Sequence, residues 1–240
     1  MVSSKLKLAL CLLLLLTARI AFCGETLAIF LPKELESSVI LKSFKESPEL
    51  SNIEVTIFAK YRDFEENRHL TSFDYAILPS SYRLYNKDFT SVLQFVRGGQ
   101  SHFQFSILSL GGKWTSEKLD DGVVGIIEEL DRKNTKSHLG RIFEGKSFNR
   151  IKRVTKSRDL IPLLFLQNAD YVVADPDDIP SENKNSLTAV KKSQKVLYPL
   201  LYINAKKEKS SANITKFTQM PSSVLKALGF DGIEPLKEGL

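Results

Sequence analysis

The sequence predicts an α/β fold in which a mainly parallel sheet flanked by helices is built twice. Four short apolar runs carry this: Leu27-Ala28-Ile29-Phe30-Leu31, Tyr75-Ala76-Ile77-Leu78, Val123-Val124-Gly125-Ile126-Ile127 and Tyr171-Val172-Val173-Ala174. Each is closed by a proline or a polar turn, the pattern of a strand buried on both faces. Helical spacing separates the runs. The strand–helix–strand order recurs in both halves, which implies parallel pairing through right-handed crossovers.

The chain opens with Lys5 and Lys7, the apolar block Leu8 to Leu16, and then Ala21-Phe22-Cys23. A basic start, a short apolar centre and a small residue two before a cut after Cys23 are the three parts of a secretory signal peptide. The block is too short to span a bilayer, which takes roughly 20 residues. A product beginning at Gly24 keeps neither Cys11 nor Cys23, so an internal disulfide and a thiolate metal site are excluded. Ile20-Ala21-Phe22-Cys23 also resembles a lipobox, whose Cys23 would be acylated, but bulky Phe22 stands where that pattern wants a small residue.

After the first strand, Val39, Ile40, Phe44 and Leu50 sit near helical spacing between Ser37 and the turn at Ser51-Asn52. Ile53 to Phe58 alternates as a second strand, and Tyr75 to Leu78 is a third. Ser91 to Phe95 and Phe103 to Leu110 read as extended segments separated by Gly98-Gly99, and Gly111-Gly112 breaks the pattern again. The second half starts with the strand at Val123. It continues with a helix near Thr135 to Phe143, a strand at Ile151 to Val154, a helix at Asp159 to Leu166 and the strand at Tyr171. Residues 177–186 read as a loop, and Val196 to Ile203 as a strand interrupted at Pro199 that carries the chain back. Two helices end the pattern, one around Ala212 to Phe217 and one from Ser222 as N-cap to Gly229 as C-cap.

The formal charge of +6 falls to about +3 without Lys5, Lys7 and Arg19, which is no nucleic-acid signature. Basic residues do crowd Arg132 to Arg158, where Glu144 is the single acidic residue. Such a run is either a solvated face or an attractor of an anionic ligand or membrane surface. No nucleophile elbow, His-Glu-x-x-His or phosphate-binding glycine loop occurs, and His69, His102 and His138 have no carboxylate or cysteine at metal-ligand spacing. No catalytic residue, metal or cofactor is therefore expected. Asp120-Asp121 and Glu128-Glu129 read as solvated, since adjacent side chains point different ways. Trp114 reads as a packing residue at the passage between the halves. Asn213-Ile214-Thr215 is a glycosylation sequon only in a eukaryotic source.

In open parallel sheets a ligand sits beyond the carboxyl ends of the strands, where loops converge and helix N-termini expose free amides. That rule selects Lys33, the turn Ser80, Ser81 and Tyr82, the segment Asn134, Thr135, Lys136 and Ser137, and Asp175. The segment starting at Asn134 would be the best anion cradle, because hydroxyls, amides and a Lys meet at one helix start. Each candidate has a plainer reading as well: an N-cap for Asn134-Thr135, a polar turn for Ser80 to Tyr82, and a solvated loop charge for Lys33 and Asp175.

Several segments resemble the type II periplasmic solute-binding proteins. Leu119-Asp120-Asp121-Gly122-Val123-Val124-Gly125 is similar to that family's entry into the second lobe. Arg158-Asp159-Leu160-Ile161-Pro162-Leu163-Leu164 and Asn168-Ala169-Asp170-Tyr171-Val172-Val173 are similar to its later helix and the strand returning to the cleft, with Phe73-Asp74-Tyr75-Ala76-Ile77-Leu78 in the matching place of lobe one. Pro221 to Gly232 looks like the ending of the phosphate/phosphonate-binding branch.

The resemblance implies a two-lobed periplasmic-binding-protein-like fold, with residues 24–108 plus 198–240 as lobe one and 109–197 as lobe two. It implies a monomeric periplasmic protein that captures a small, anionic ligand between its lobes for an ABC-type importer and its membrane permease. The alternative is an accessory or sensor protein that uses the same fold to contact an envelope protein. The branch's Ser/Thr-Ser-Gly anion loop is replaced here by Asn134-Thr135-Lys136-Ser137.

Overall fold

The computed structural model describes residues 24–70, 73–112, 115–207 and 214–237. The leader with Cys23, Trp114 and Asn213 lie outside the described residues. Along the chain run β1 (Thr26–Phe30), α1 (Ser37–Lys45), β2 (Glu54–Phe58), α2 (Tyr61–Leu70), β3 (Tyr75–Leu78) and β4 (Phe89–Val96). Next come β5 (His102–Phe103), β6 (Ser106–Leu110), β7 (Val123–Ile127), α3 (Arg132–Ile142), β8 (Arg150–Val154), α4 (Leu160–Phe165) and β9 (Tyr171–Ala174). The chain ends through α5 (Ser181–Lys184), β10 (Leu187–Lys192), β11 (Val196–Leu197), β12 (Leu200–Asn204), α6 (Thr215–Thr218), α7 (Ser222–Leu228) and β13 (Gly232–Pro235).

The first sheet has the order β13-β4-β12-β3-β1-β2, and the second β10-β6-β9-β7-β8. β1 pairs parallel with β2 and β3, and β7 parallel with β8 and β9, so each lobe holds the expected parallel centre. The antiparallel strands β12, β6 and β10 extend these centres. The sequence boundary at 108/109 falls inside β6, all of whose pairing is with β9 and β10 of the second sheet. Two segments pass between the lobes side by side as β5 and β11, with Val196 opposite Phe103 and Leu197 opposite His102.

The apolar runs are continuous because both sheet faces are covered. In β1, Leu27 and Ile29 enter one core cluster with α1 and α7, while Ala28 and Phe30 enter another with Phe64 of α2. In β9, Tyr171 and Val173 face α3, and Val172 and Ala174 face α4. Leu27 and Ile29 are fully buried, and each such side chain contributes about 1.5–3 kcal/mol.

Three local expectations are corrected. Residues 177–186 are not wholly loop, since they hold a 3-10 turn and α5, and β10 and β13 were not anticipated. Both strands are sheet-edge pieces with half-exposed, mixed composition, so neither carries a clear apolar run. Helix α3 begins at Arg132, three residues before the expected start, because the Asp131 carboxylate caps it by accepting from the Asn134 amide at 2.9 Å. The N-cap of α7 is Pro221, with Ser222 already helical, while Gly229 closes it at φ 80° as expected.

Candidate functional site

The lobes border a cavity of about 80 Å³. Loops after β1, β3, β7 and β9 reach it with Lys33, Ser80 and Ser81, Glu129, and Asp175. The crossing segments supply its back wall: Phe103 stacks on Tyr198 at 4.9 Å, Phe105 meets Phe103 at 4.7 Å, and Tyr198 meets Phe230 edge-on at 5.9 Å. Leu31, Ile127, Leu160 and Ile179 complete a mainly apolar lining.

Charged groups sit at two ends. At one end Arg97 of lobe one reaches lobe two, 3.7 Å from Asp175 and 3.4 Å from Asp178. Lys33 lies beside them with its ammonium 4.1 Å above the Phe230 ring, and it is ion-paired with none of the described carboxylates. Burial, aided by Arg97, lowers the Lys33 pKa to about 8 against the opposing pull of Asp178 and Asp175. Burial likewise raises the carboxyl of Asp175. At the other end the Ser81 hydroxyl donates to Glu129 Oε2 at 3.1 Å, and burial pushes the Glu129 carboxyl up to about 7 against that hydrogen bond. Ser80 donates to the Leu197 carbonyl at 2.6 Å, tying the loop after β3 to a crossing strand.

Of the nine residues picked out from the sequence, Lys33, Ser80, Ser81 and Asp175 line the cavity and five do not. Tyr82 turns away into the core, where its hydroxyl donates to Glu65 at 2.8 Å. Asn134 and Thr135 are spent inside α3, Asn134 on its cap and the Thr135 hydroxyl on the carbonyls of Leu130 and Asp131. Lys136 and Ser137 open onto the outer surface of lobe two. The early helix start explains this displacement: the loop after β7 is Glu128-Glu129-Leu130-Asp131, and the proposed cradle lies beyond it.

Glu128 and Glu129 do point different ways, as alternation requires. Only Glu128 behaves as a surface ion, pairing with Arg153 at 2.7 Å; Glu129 faces the cavity. The strand-end rule would have selected Glu129 had the helix start been placed at the Asp131 cap. Arg97, Tyr198 and Phe230 carry no local signal, since they arrive from a crossing segment, a crossing strand and the residue after a helix cap. His138, buried in α3, has both ring nitrogens without a described hydrogen-bond partner and faces the Tyr85 ring at 6.5 Å. It shares a cavity of about 20 Å³ with Glu129.

The two parallel-centred sheets, the paired crossing strands and the cleft at the strand ends are the type II periplasmic-binding-protein fold. No family model and no curated protein sequence matches the chain. Solved structures with this fold include the binding-protein component of an ABC phosphonate transporter from Pseudomonas aeruginosa, with 10% identity, TM-score 0.66, and 89% of this chain and 82% of that one covered. A Xanthomonas citri protein bound to ATP shares 10% identity at TM-score 0.67, covering 89% and 91%. PhnD1 from Prochlorococcus marinus, in complex with methylphosphonate, shares 11% at TM-score 0.63, covering 89% and 93%.

Proposed function

We propose that the protein is an exported, monomeric solute-binding protein that closes its lobes, about 24–105 with 198–237 and 106–197, over a small anion and presents it to an ABC-type permease. No bond is broken in this role. The observation that carries the reading is Lys33, a half-buried cation at the cleft floor with an aromatic face beneath it and no described carboxylate paired to it. Arg97 is already neutralised by Asp175 and Asp178. The loop from β7 to α3, Glu128-Glu129-Leu130-Asp131, carries three acidic residues and no hydroxyl. The charge balance therefore favours a monoanion with its head on Lys33 and an apolar portion against the aromatic wall.

A thermal-shift screen of short carboxylates, sulfonates and phosphonates tests this. A true ligand at about 100 times its dissociation constant adds roughly 2.7 kcal/mol of stability. Gene neighbours encoding a permease and an ATPase would support the transport role. Absence of any shift, with co-purification of an envelope protein, would favour the accessory or sensor role instead.

A further inference from the structure

We infer that the β8 edge of the second lobe is a docking surface for an anionic phospholipid membrane, with Phe165 and Leu166 as its apolar anchor. These two side chains are 53% and 70% exposed, the highest values among the large apolar residues described. Their outward direction is fixed by the fold. Leu160, Ile161 and Leu164 of α4 are buried against the sheet, and after Leu166 the chain turns back through Gln167 at φ 53°, the Asn168 and Ala169 amides both donating to the Leu163 carbonyl. The apolar pair is thus left standing at a helix end.

Lys152 of β8 donates to Asn168 Oδ1 at 2.9 Å, which sets the edge strand beside this tip. From there a cationic surface extends along the strand and across to α3. A groove lined by Arg132, Lys136, Arg150 and Lys152 joins a second hollow that adds Lys133 and Lys146. None of these six is ion-paired with a described carboxylate; the bonds they make go to neutral oxygens, Lys136 to Asn149, Arg150 to the Asp121 carbonyl and Lys152 to Asn168. Asp120 beside this surface accepts from the Ser147 amide. Two arginines of the same run are matched, Arg153 with Glu128 and Arg158 with Glu34.

A projecting apolar pair rimmed by unmatched cations suits a flat anionic surface with a soft apolar interior, which takes up both at once. A protein partner would need a preformed pocket for the tip. No helix among the described residues is long and apolar enough to cross a membrane. Each cation near such a surface is worth about fivefold in partition.

The test is co-sedimentation of the chain from Gly24 onward, which contains every described element and no acylatable cysteine, with two kinds of vesicle. One is pure phosphatidylcholine; the other contains an equal part of phosphatidylglycerol. The chain partitions at least tenfold more strongly onto the anionic vesicles, the preference fades with added salt, and Lys136→Gln with Lys152→Gln lowers it by about twentyfold. Phe165→Ser with Leu166→Ser lowers it by about tenfold while the melting temperature is unchanged, since both residues are exposed. Equal partition onto both vesicles, or a Phe165→Ser/Leu166→Ser variant that binds as the parent does, overturns the proposal. Vesicle binding that is insensitive to these changes, with capture on immobilised polyglutamate that is sensitive to them, would make the surface a protein-docking face and also overturn it.

Discussion

The Ser81 hydroxyl donates to Glu129 Oε2 at 3.1 Å, so the loop after β3 in one lobe holds the loop after β7 in the other. A neutral hydrogen bond is worth about 0.5–1.5 kcal/mol, and loss of its donor leaves a desolvated carboxyl that costs about 1–3 kcal/mol. Ser81→Ala should lower stability by about 1–2 kcal/mol and favour the open arrangement. Thermal melting gives the first, and small-angle scattering gives the second as a larger radius of gyration.

The stability of the closed form should depend on pH through two groups that oppose each other. Glu129 titrates at about 7 instead of 4.5, so the folded chain keeps this proton where the unfolded chain has lost it, and stability from this group falls as pH rises from 4.5 to 7. His138 is lowered from 6.5 to about 4 by burial and by Arg141, so its contribution rises with pH between 4 and 6.5. The parent protein should therefore show a nearly flat profile here. Glu129→Gln should leave a melting curve that climbs across this range, and His138→Leu one that declines, each by about 1–3 kcal/mol. Melting temperatures measured at intervals between pH 4 and 7 check this; three parallel curves would refute it.

Gly229 links the C-cap of α7 to the cleft. It sits at φ 80°, and a Cβ there would meet Lys33 Nζ at 2.5 Å. Gly229→Ala should cost about 1–2 kcal/mol of backbone strain and push the Lys33 ammonium off the Phe230 ring, weakening anion binding as well. Titration calorimetry on the variant separates the binding loss from the stability loss.

Gly125 on β7 is a packing requirement of lobe two. A Cβ would come within 2.8 Å of Leu163 Cδ1 and 2.9 Å of Val172 Cγ1. The α4 side chain can give way, but Val172 stands rigid on the neighbouring strand. Gly125→Ala should destabilise by about 1–3 kcal/mol, measured by denaturant unfolding, with no direct effect on the cleft.

The parallel centres of both sheets were legible in the sequence because double-sided burial writes itself as uninterrupted apolar runs, as in Leu27 to Phe30 and Tyr171 to Ala174. The cavity lining was legible where a residue lies within a few positions of such a strand's end, as with Lys33, Ser80, Ser81 and Asp175. It was lost where a cap moved a boundary: Asp131 starts α3 early, so Asn134 to Ser137 belong to the helix and Glu129 takes the loop position. Arg97, Tyr198 and Phe230 reach the cleft by tertiary packing, for which no local pattern exists.

The most direct test is calorimetry of the best monoanion from the screen against the parent chain and Lys33→Met across pH. Lys33, at about 8, and Glu129, at about 7, both favour an anion when protonated, so affinity should be highest below 7 and fall as pH rises past 8. Lys33→Met should bind about 10–100-fold more weakly at neutral pH, the worth of one charge-assisted contact. Affinity that is indifferent to pH, or a Lys33→Met chain that binds as tightly as the parent, would contradict the assignment of this cleft.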